Sequence, residues 1–135
     1  MDYITNNCIN DEFIEFINYN KKLNFKYCKD NEFNKKINEL CKRLNKKLKI
    51  YLSYTNISDV LNLGSVHTLD LTCTNISDVS NLGSVHILDL SYCENIVDVS
   101  CLGSVHTLYL EGCNNIVDVS CLGSVHKLNL SYCEI

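Results

Sequence analysis

The sequence predicts an α/β solenoid, in which short parallel strands stack coil upon coil, turn or 3-10 segments join them, and a helical cap precedes them. Three observations predict it. The tetrapeptide Gly-Ser-Val-His begins at Gly64, Gly83, Gly103 and Gly123, so a unit of 19–20 residues recurs through the second half of the chain. Within each unit a leucine pair alternates with other residues at the period of a strand, as Leu69/Leu71, Leu88/Leu90, Leu108/Leu110 and Leu128/Leu130. Ahead of the repeats, Phe33, Ile37, Leu40, Cys41 and Leu44 fall on one helical stripe. Units this alike cannot bury their apolar sides alone and must stack on one another.

In chain order, residues 1–10 read as a frayed start. Phe13, Ile14, Phe16 and Ile17 suggest a short amphipathic helix to about Tyr19, capped by Asn10 or Asp11. Lys22 to Cys28 alternates, with Leu23, Phe25 and Tyr27 on one side, which reads as a strand. A second helix is predicted over 31–45, with Lys35, Lys36, Lys42, Arg43 and Lys46 turned away from its apolar stripe. From Leu48, Ile50 and Leu52 the strand period takes over. Each unit then turns near Thr55-Asn56, Thr74-Asn75, Cys93-Glu94-Asn95 or Cys113-Asn114-Asn115, buries Ile57, Ile76, Ile96 or Ile116, and runs through Asp-Val-x-x-Leu into the next Gly-Ser-Val-His. A return path this short has room for a turn or a 3-10 segment on the convex side, with the parallel sheet on the concave side. The chain therefore divides into a cap, residues 1–46, and repeats, residues 47–135, the last of them truncated.

The charge is divided as sharply as the pattern. Residues 1–50 carry eleven basic and seven acidic side chains; residues 51–135 carry one lysine, Lys127, and nine acids. An acidic repeat half is unsuited to nucleic acid, which binds basic faces, and the lysines of the cap read as a solvated helix surface. No run approaches the about 18 apolar residues of a membrane span. The first residues lack a basic segment followed by an apolar one, so no export signal is expected. The nine cysteines are accordingly expected as reduced thiols in a cytoplasmic setting.

The residues also carry a family resemblance. Val66-x-x-Leu69-x-Leu71-x-x-Thr74-x-Ile76 and Val105-x-x-Leu108-x-Leu110-x-x-Cys113 resemble the leucine-rich repeat. The Ile-x-Asp-Val-x-x-Leu segment is similar to the short repeats of internalins and of phosphatase-1 regulatory leucine-rich proteins. Leu23-x-Phe25-x-x-Cys28, followed by a helix and the next strand, resembles one longer, cysteine-type repeat over about 20–46. Composition and motif wording also resemble leucine-rich proteins of giant viruses of amoebae, for which the cytoplasm would be the host cell's. The family implies a protein-binding scaffold with no enzymatic activity and no cofactor.

Stacking makes each repeated position a column. Thr55, Thr74, Cys93, Cys113 and Cys133, with Cys28 as a further candidate, form one; in the family this position is buried and bonds backbone of adjacent turns. A linear file of sulfurs does not offer the tetrahedral set zinc requires, and no metal is expected. Cys101 and Cys121, in the column of Asn62 and Asn81, lie within disulfide reach, although a reducing compartment predicts thiols. His67, His86, His106 and His126 read as copies carried along with Gly-Ser-Val on a tolerant rim, against the alternative of a metal-binding or pH-sensing ladder. Asp59, Asp78, Asp98 and Asp118 read as turn caps rather than calcium ligands. No nucleophile-plus-base set escapes the repeat pattern, so no catalytic residue is expected.

The repeats differ chiefly on the concave face. Its candidate protein-binding residues are Tyr51, Ser53, Asp70, Thr72, Asp89, Ser91, Tyr109, Glu111, Asn129 and Ser131, with Tyr54, Tyr92 and Tyr132 at the edge. Tyrosines around an acidic strip suit a partner protein with a basic surface; a merely solvated sheet face is the alternative. Two other roles remain open, a substrate adaptor for ubiquitin ligation and a purely structural repeat protein. The sequence ends just after a strand, without a polar capping unit, which suggests either a shortened relative or end-to-end self-association through the last coil.

Overall fold

A computed structural model describes residues 20–135. The helix expected over 11–19, its cap residues and Cys8 lie outside the described residues. Two helices come first, α1 (Lys21–Lys29) and α2 (Asn31–Leu44), followed by five three-residue strands: β1 (Lys49–Tyr51), β2 (Thr68–Asp70), β3 (Ile87–Asp89), β4 (Thr107–Tyr109) and β5 (Lys127–Asn129). The strands form one parallel sheet in sequence order, with Ile50, Leu69, Leu88, Leu108 and Leu128 in register from strand to strand. The chain is thus an α/β leucine-rich repeat solenoid.

Each coil closes in the same way. Leu63, Leu82, Leu102 and Leu122 donate their N–H to the carbonyls of Val60, Val79, Val99 and Val119, a 3-10 bond that returns the chain towards the sheet. The leucine, isoleucine and valine columns close behind the strands into a continuous core: Leu52, Ile57, Leu63, Leu71, Ile76, Leu82, Leu88, Leu90 and Leu102 are all fully enclosed. Each such side chain contributes roughly 1.5–3 kcal/mol through burial.

The recurring glycine has a steric cause. Gly64, Gly103 and Gly123 have ordinary right-handed helical torsions, so backbone freedom is not what selects them. A Cβ at Gly64, Gly83 or Gly103 would lie 2.7, 2.5 or 2.6 Å from the carbonyl oxygen of Asn81, Cys101 or Cys121 on the next coil. Coils stack this closely only because a hydrogen occupies that position.

The segment from Lys22 to Cys28 corrects the strand reading: it is helix α1. Asn20 accepts a hydrogen bond from the Leu23 N–H at 3.1 Å and starts the helix, which buries Asn24, Tyr27 and Cys28 at helical spacing. The alternation of Leu23, Phe25 and Tyr27 is incidental. In α2, Asp30 accepts from the Phe33 N–H at 3.1 Å, and Asn45, with φ 52, ends the helix in a left-handed turn. Cys28, being on α1, lies outside the turn column of Cys93, Cys113 and Cys133.

The helix pair occupies the place of a preceding coil. In the repeats, the Asn81 amide and the Cys101 and Cys121 thiols donate to the carbonyls of Val60, Val79 and Val99 on the coil before, at 2.6, 3.1 and 3.3 Å. Asn62, the first of this column, donates instead to the Cys28 carbonyl at 3.0 Å. Asn34 on α2 donates to the Asn62 carbonyl at 2.8 Å, and Lys21 reaches the Ser53 carbonyl at 2.9 Å. The first coil therefore has its stacking polar groups satisfied by helices.

Candidate functional site: the open face of the sheet

Side chains that alternate with the core leucines stand on the open, concave face. Strand register sets them in rows. Tyr51, Asp70, Asp89, Tyr109 and Asn129 form one row, and Lys49, Thr68, Ile87, Thr107 and Lys127 another. Asp70 and Asp89 are therefore direct lateral neighbours. Their carboxylates are each turned to a backbone group: Asp70 accepts from the Thr72 N–H at 2.9 Å and Asp89 from the Ser91 N–H at 3.0 Å. Asn129, in the same column, accepts the equivalent bond from the Ser131 N–H at 2.9 Å, so the bond does not depend on a charged side chain.

Glu111 stands beyond this row and ties its neighbours together. Tyr92 donates its hydroxyl to Glu111 Oε1 at 2.7 Å, and Asn129 reaches Oε2 at 3.5 Å. The bond to Glu111 holds the Tyr92 phenol above its usual range. Tyr51 and Tyr109 are exposed, Ser53, Asp70, Thr72, Asp89, Glu111 and Asn129 half-buried, and Ser131 exposed. Ser91 is buried at 7 % exposure and adds little to the outer surface.

The edge tyrosines have a conformation that periodicity does not reveal. Tyr54, Cys73, Tyr92 and Tyr132 have φ of 58, 56, 58 and 59, and Gly112, in the same column, has φ 69. A non-glycine residue in this left-handed region costs on the order of 1 kcal/mol. The column turns the chain out of the strand while Tyr54, Tyr92 and Gly112 still donate their N–H to Thr72, Glu111 and Ser131 on the next coil. Gly112 is the signal in the sequence: it marks the left-handed position, and the Tyr92 ring packs where a Cβ would stand.

The remaining columns are turn chemistry. Thr55 and Thr74 donate to the carbonyls of Leu52 and Leu71 in their own coils at 2.6 and 2.7 Å. Cys93, Cys113 and Cys133 reach instead across to Leu71, Leu90 and Leu110 on the preceding coil, at 3.1, 3.1 and 2.9 Å. Burial pushes the Cys113 thiol up to about 12, which keeps it protonated near neutral pH. Among the described residues, no group of three or more His, Cys, Asp or Glu is placed to hold a metal ion.

The aspartate column caps the return turns. Asp59, Asp78, Asp98 and Asp118 each accept the backbone N–H two residues on, at 2.9 Å. Bonds from the side chain and backbone of Ser80, Ser100 and Ser120 hold the carboxyls of Asp78, Asp98 and Asp118 below their ordinary 3.8. A carboxyl depressed in the folded state contributes stability that is complete above 3.8 and is lost as pH falls through the depressed value. The thermal stability of wild type should therefore fall on acidification below about pH 4, and Asp98→Asn, which keeps the acceptor without the charge, should flatten that loss. An acid limb identical in both proteins would contradict this account.

The chain matches no protein-family model and no curated protein. Among solved structures it is similar to an internalin (inlF) of Listeria monocytogenes, with 26% identity and a TM-score of 0.50 over 62% of this chain and 28% of that one. An internalin C2 (inlC2) of the same species aligns at 23% identity and TM-score 0.48, over 64% of this chain and 42% of that one. The chain thus spans less than half the length of either internalin. The internalin repeat is the resemblance the motif carries, and nothing in these similarities supports a viral origin. Among the described residues, no helix is long and apolar enough to cross a membrane.

Proposed function

We propose that this leucine-rich repeat solenoid is a non-enzymatic scaffold that binds a partner protein on its concave face, with a basic surface of that partner over Asp70, Asp89 and Glu111. The observation that carries this reading is the lateral pair Asp70 and Asp89, flanked by exposed Tyr51 and Tyr109. Like charges directly opposite on neighbouring strands disfavour the sheet. Asn129 demonstrates that an amide serves the local turn equally well. Charge at these positions is thus more than the fold asks for, and a cationic partner is what would use it. The tyrosines add contact area at low entropic cost. A cytoplasmic setting belongs to the same reading, as does the exclusion of nucleic acid and membrane, because the repeat half carries one lysine against nine acids.

The test is capture of partner proteins by immobilised wild type and by an Asp70→Asn, Asp89→Asn, Glu111→Gln variant at low and high salt. The variant keeps the turn acceptors and should fold normally. Capture should be salt-sensitive in wild type and weakened by about tenfold or more in the variant. Equal capture by both would remove the acidic strip from the function.

A further inference from the structure

Repetition sets the four histidines side by side on the rim of the stack. The rings of His67, His86, His106 and His126 stack face to face, with centroids 4.8, 4.5 and 4.6 Å apart and interplanar angles of 29°, 17° and 27°. Backbone bonds lock that spacing: the His86 N–H donates to the His67 carbonyl at 3.0 Å, and the His106 N–H to the His86 carbonyl at 3.1 Å. The last three imidazoles are exposed and the first half-buried. Nδ1 of His67 lies 2.9 Å from Thr68 Oγ1, and Nδ1 of His106 lies 3.0 Å from Thr107 Oγ1. When Nδ1–H donates to the threonine hydroxyl, Nε2 carries the free lone pair, the arrangement that prepares an imidazole to ligate.

We propose that the ladder binds divalent transition-metal ions, each held by two neighbouring imidazoles, with water completing the coordination shell. Imidazole suits Cu²⁺, Ni²⁺ and Zn²⁺ and is a poor ligand for Mg²⁺ and Ca²⁺. Metal–nitrogen bonds of about 2.0–2.1 Å place two nitrogens of a tetrahedral ion about 3.3 Å apart. In the stack at 4.5 Å and 17° the lone pairs run nearly parallel, so the two rings must swing out of the stack until their Nε2 atoms converge on one ion, a rotation open to exposed side chains. The backbone of both ligands is held on neighbouring coils before the metal arrives, so the ordering that remains is that of two side chains. With no third protein ligand the site is open and exchangeable.

The surroundings disfavour the protonated form at two of the rings. Desolvation first, then Lys47, His86 and Lys49, hold His67 below the ordinary imidazole range. Desolvation, then His86, His126 and Lys127, do the same at His106. Both effects favour the neutral ring, which ligation requires. His86 and His106, both exposed and the closest pair at 4.5 Å, are the preferred ligands.

Two double variants with equal numbers of histidines separate paired ligation from single-site adsorption. His86→Asn with His106→Asn destroys every neighbouring pair, whereas His67→Asn with His126→Asn leaves the central pair intact. Both retain all nine cysteines, so thiol binding is common to them. Calorimetric titration of the full chain with CuCl₂ and ZnCl₂ at neutral pH, with circular dichroism as the check on folding, reads the difference. Cu²⁺ should bind wild type more tightly than Zn²⁺, and Mg²⁺ should not bind detectably. The central variant should lose about tenfold or more in Cu²⁺ affinity relative to the outer one. Electron paramagnetic resonance of the Cu²⁺ complex should report two nitrogen ligands in wild type and in the outer variant. Equal affinity of the two variants, or a single nitrogen ligand in wild type, would overturn the proposal.

Discussion

Alanine in place of Gly103 is expected to destabilise the solenoid by about 1–3 kcal/mol, while Gly123→Ala stabilises it by about 0.4–1 kcal/mol. The two glycines have the same backbone conformation, with φ of −63 and −62, so local torsional preference cancels between them. At Gly103 the new methyl would meet the Cys121 carbonyl at 2.6 Å; at Gly123 it meets nothing within 4 Å. A backbone carbonyl cannot turn aside as a side chain can, so the methyl has to push two coils apart along the stack. Alanine also restricts the unfolded chain, which alone would stabilise by about 0.4–1 kcal/mol. Gly123→Ala is thus the control whose sign differs. Urea unfolding of Gly83→Ala, Gly103→Ala and Gly123→Ala measures the contrast. Equal losses at all three positions would show that conformation, not close approach, is what the repeated glycine supplies.

Leu88→Ala should cost about 2–5 kcal/mol, a large share of what a domain of this size has to lose. Leu88 lies between Leu69 and Leu108 in the stack and is fully enclosed, so its removal leaves a cavity that neither neighbouring coil can fill without breaking register. Leu128 occupies the same position of its unit but is 38% exposed. Leu128→Ala should therefore cost distinctly less, because water already reaches part of that side chain. A repeat stack whose units act mainly through their nearest neighbours predicts this gradient from the middle towards the last strand. Equal destabilisation by the two substitutions, measured by chemical unfolding, would require long-range cooperativity in its place.

The chain shares its short-repeat fold with an internalin, and the variation that distinguishes one of its coils from the next is concentrated on the open face of the sheet. The acidic strip and the histidine ladder occupy different columns of the same stack of coils. Neutralising the former should leave metal binding unchanged, and removing the latter should leave partner capture unchanged, so the two readings can fail separately.

Periodicity alone carried the coil stack, the parallel register, the buried leucine, isoleucine and valine columns and the helix α2, because each depends on spacing that repeats or on one long apolar stripe. It misread Lys22–Cys28, where seven residues alternate by chance and nothing local distinguishes a strand from a helix. The Asn20 cap and the packing of Tyr27 and Cys28 against the first coil decide it. The candidate binding residues were legible as the positions where near-identical units differ; their rows, the burial of Ser91 and the bonds between Tyr92, Glu111 and Asn129 were not, since these arise between coils. The left-handed tyrosine column, the glycine contacts and the stacked imidazoles likewise exist only once one coil lies on another. A repeat dictates its own path through local spacing, whereas contact between equivalent positions depends on the separation and tilt of whole coils.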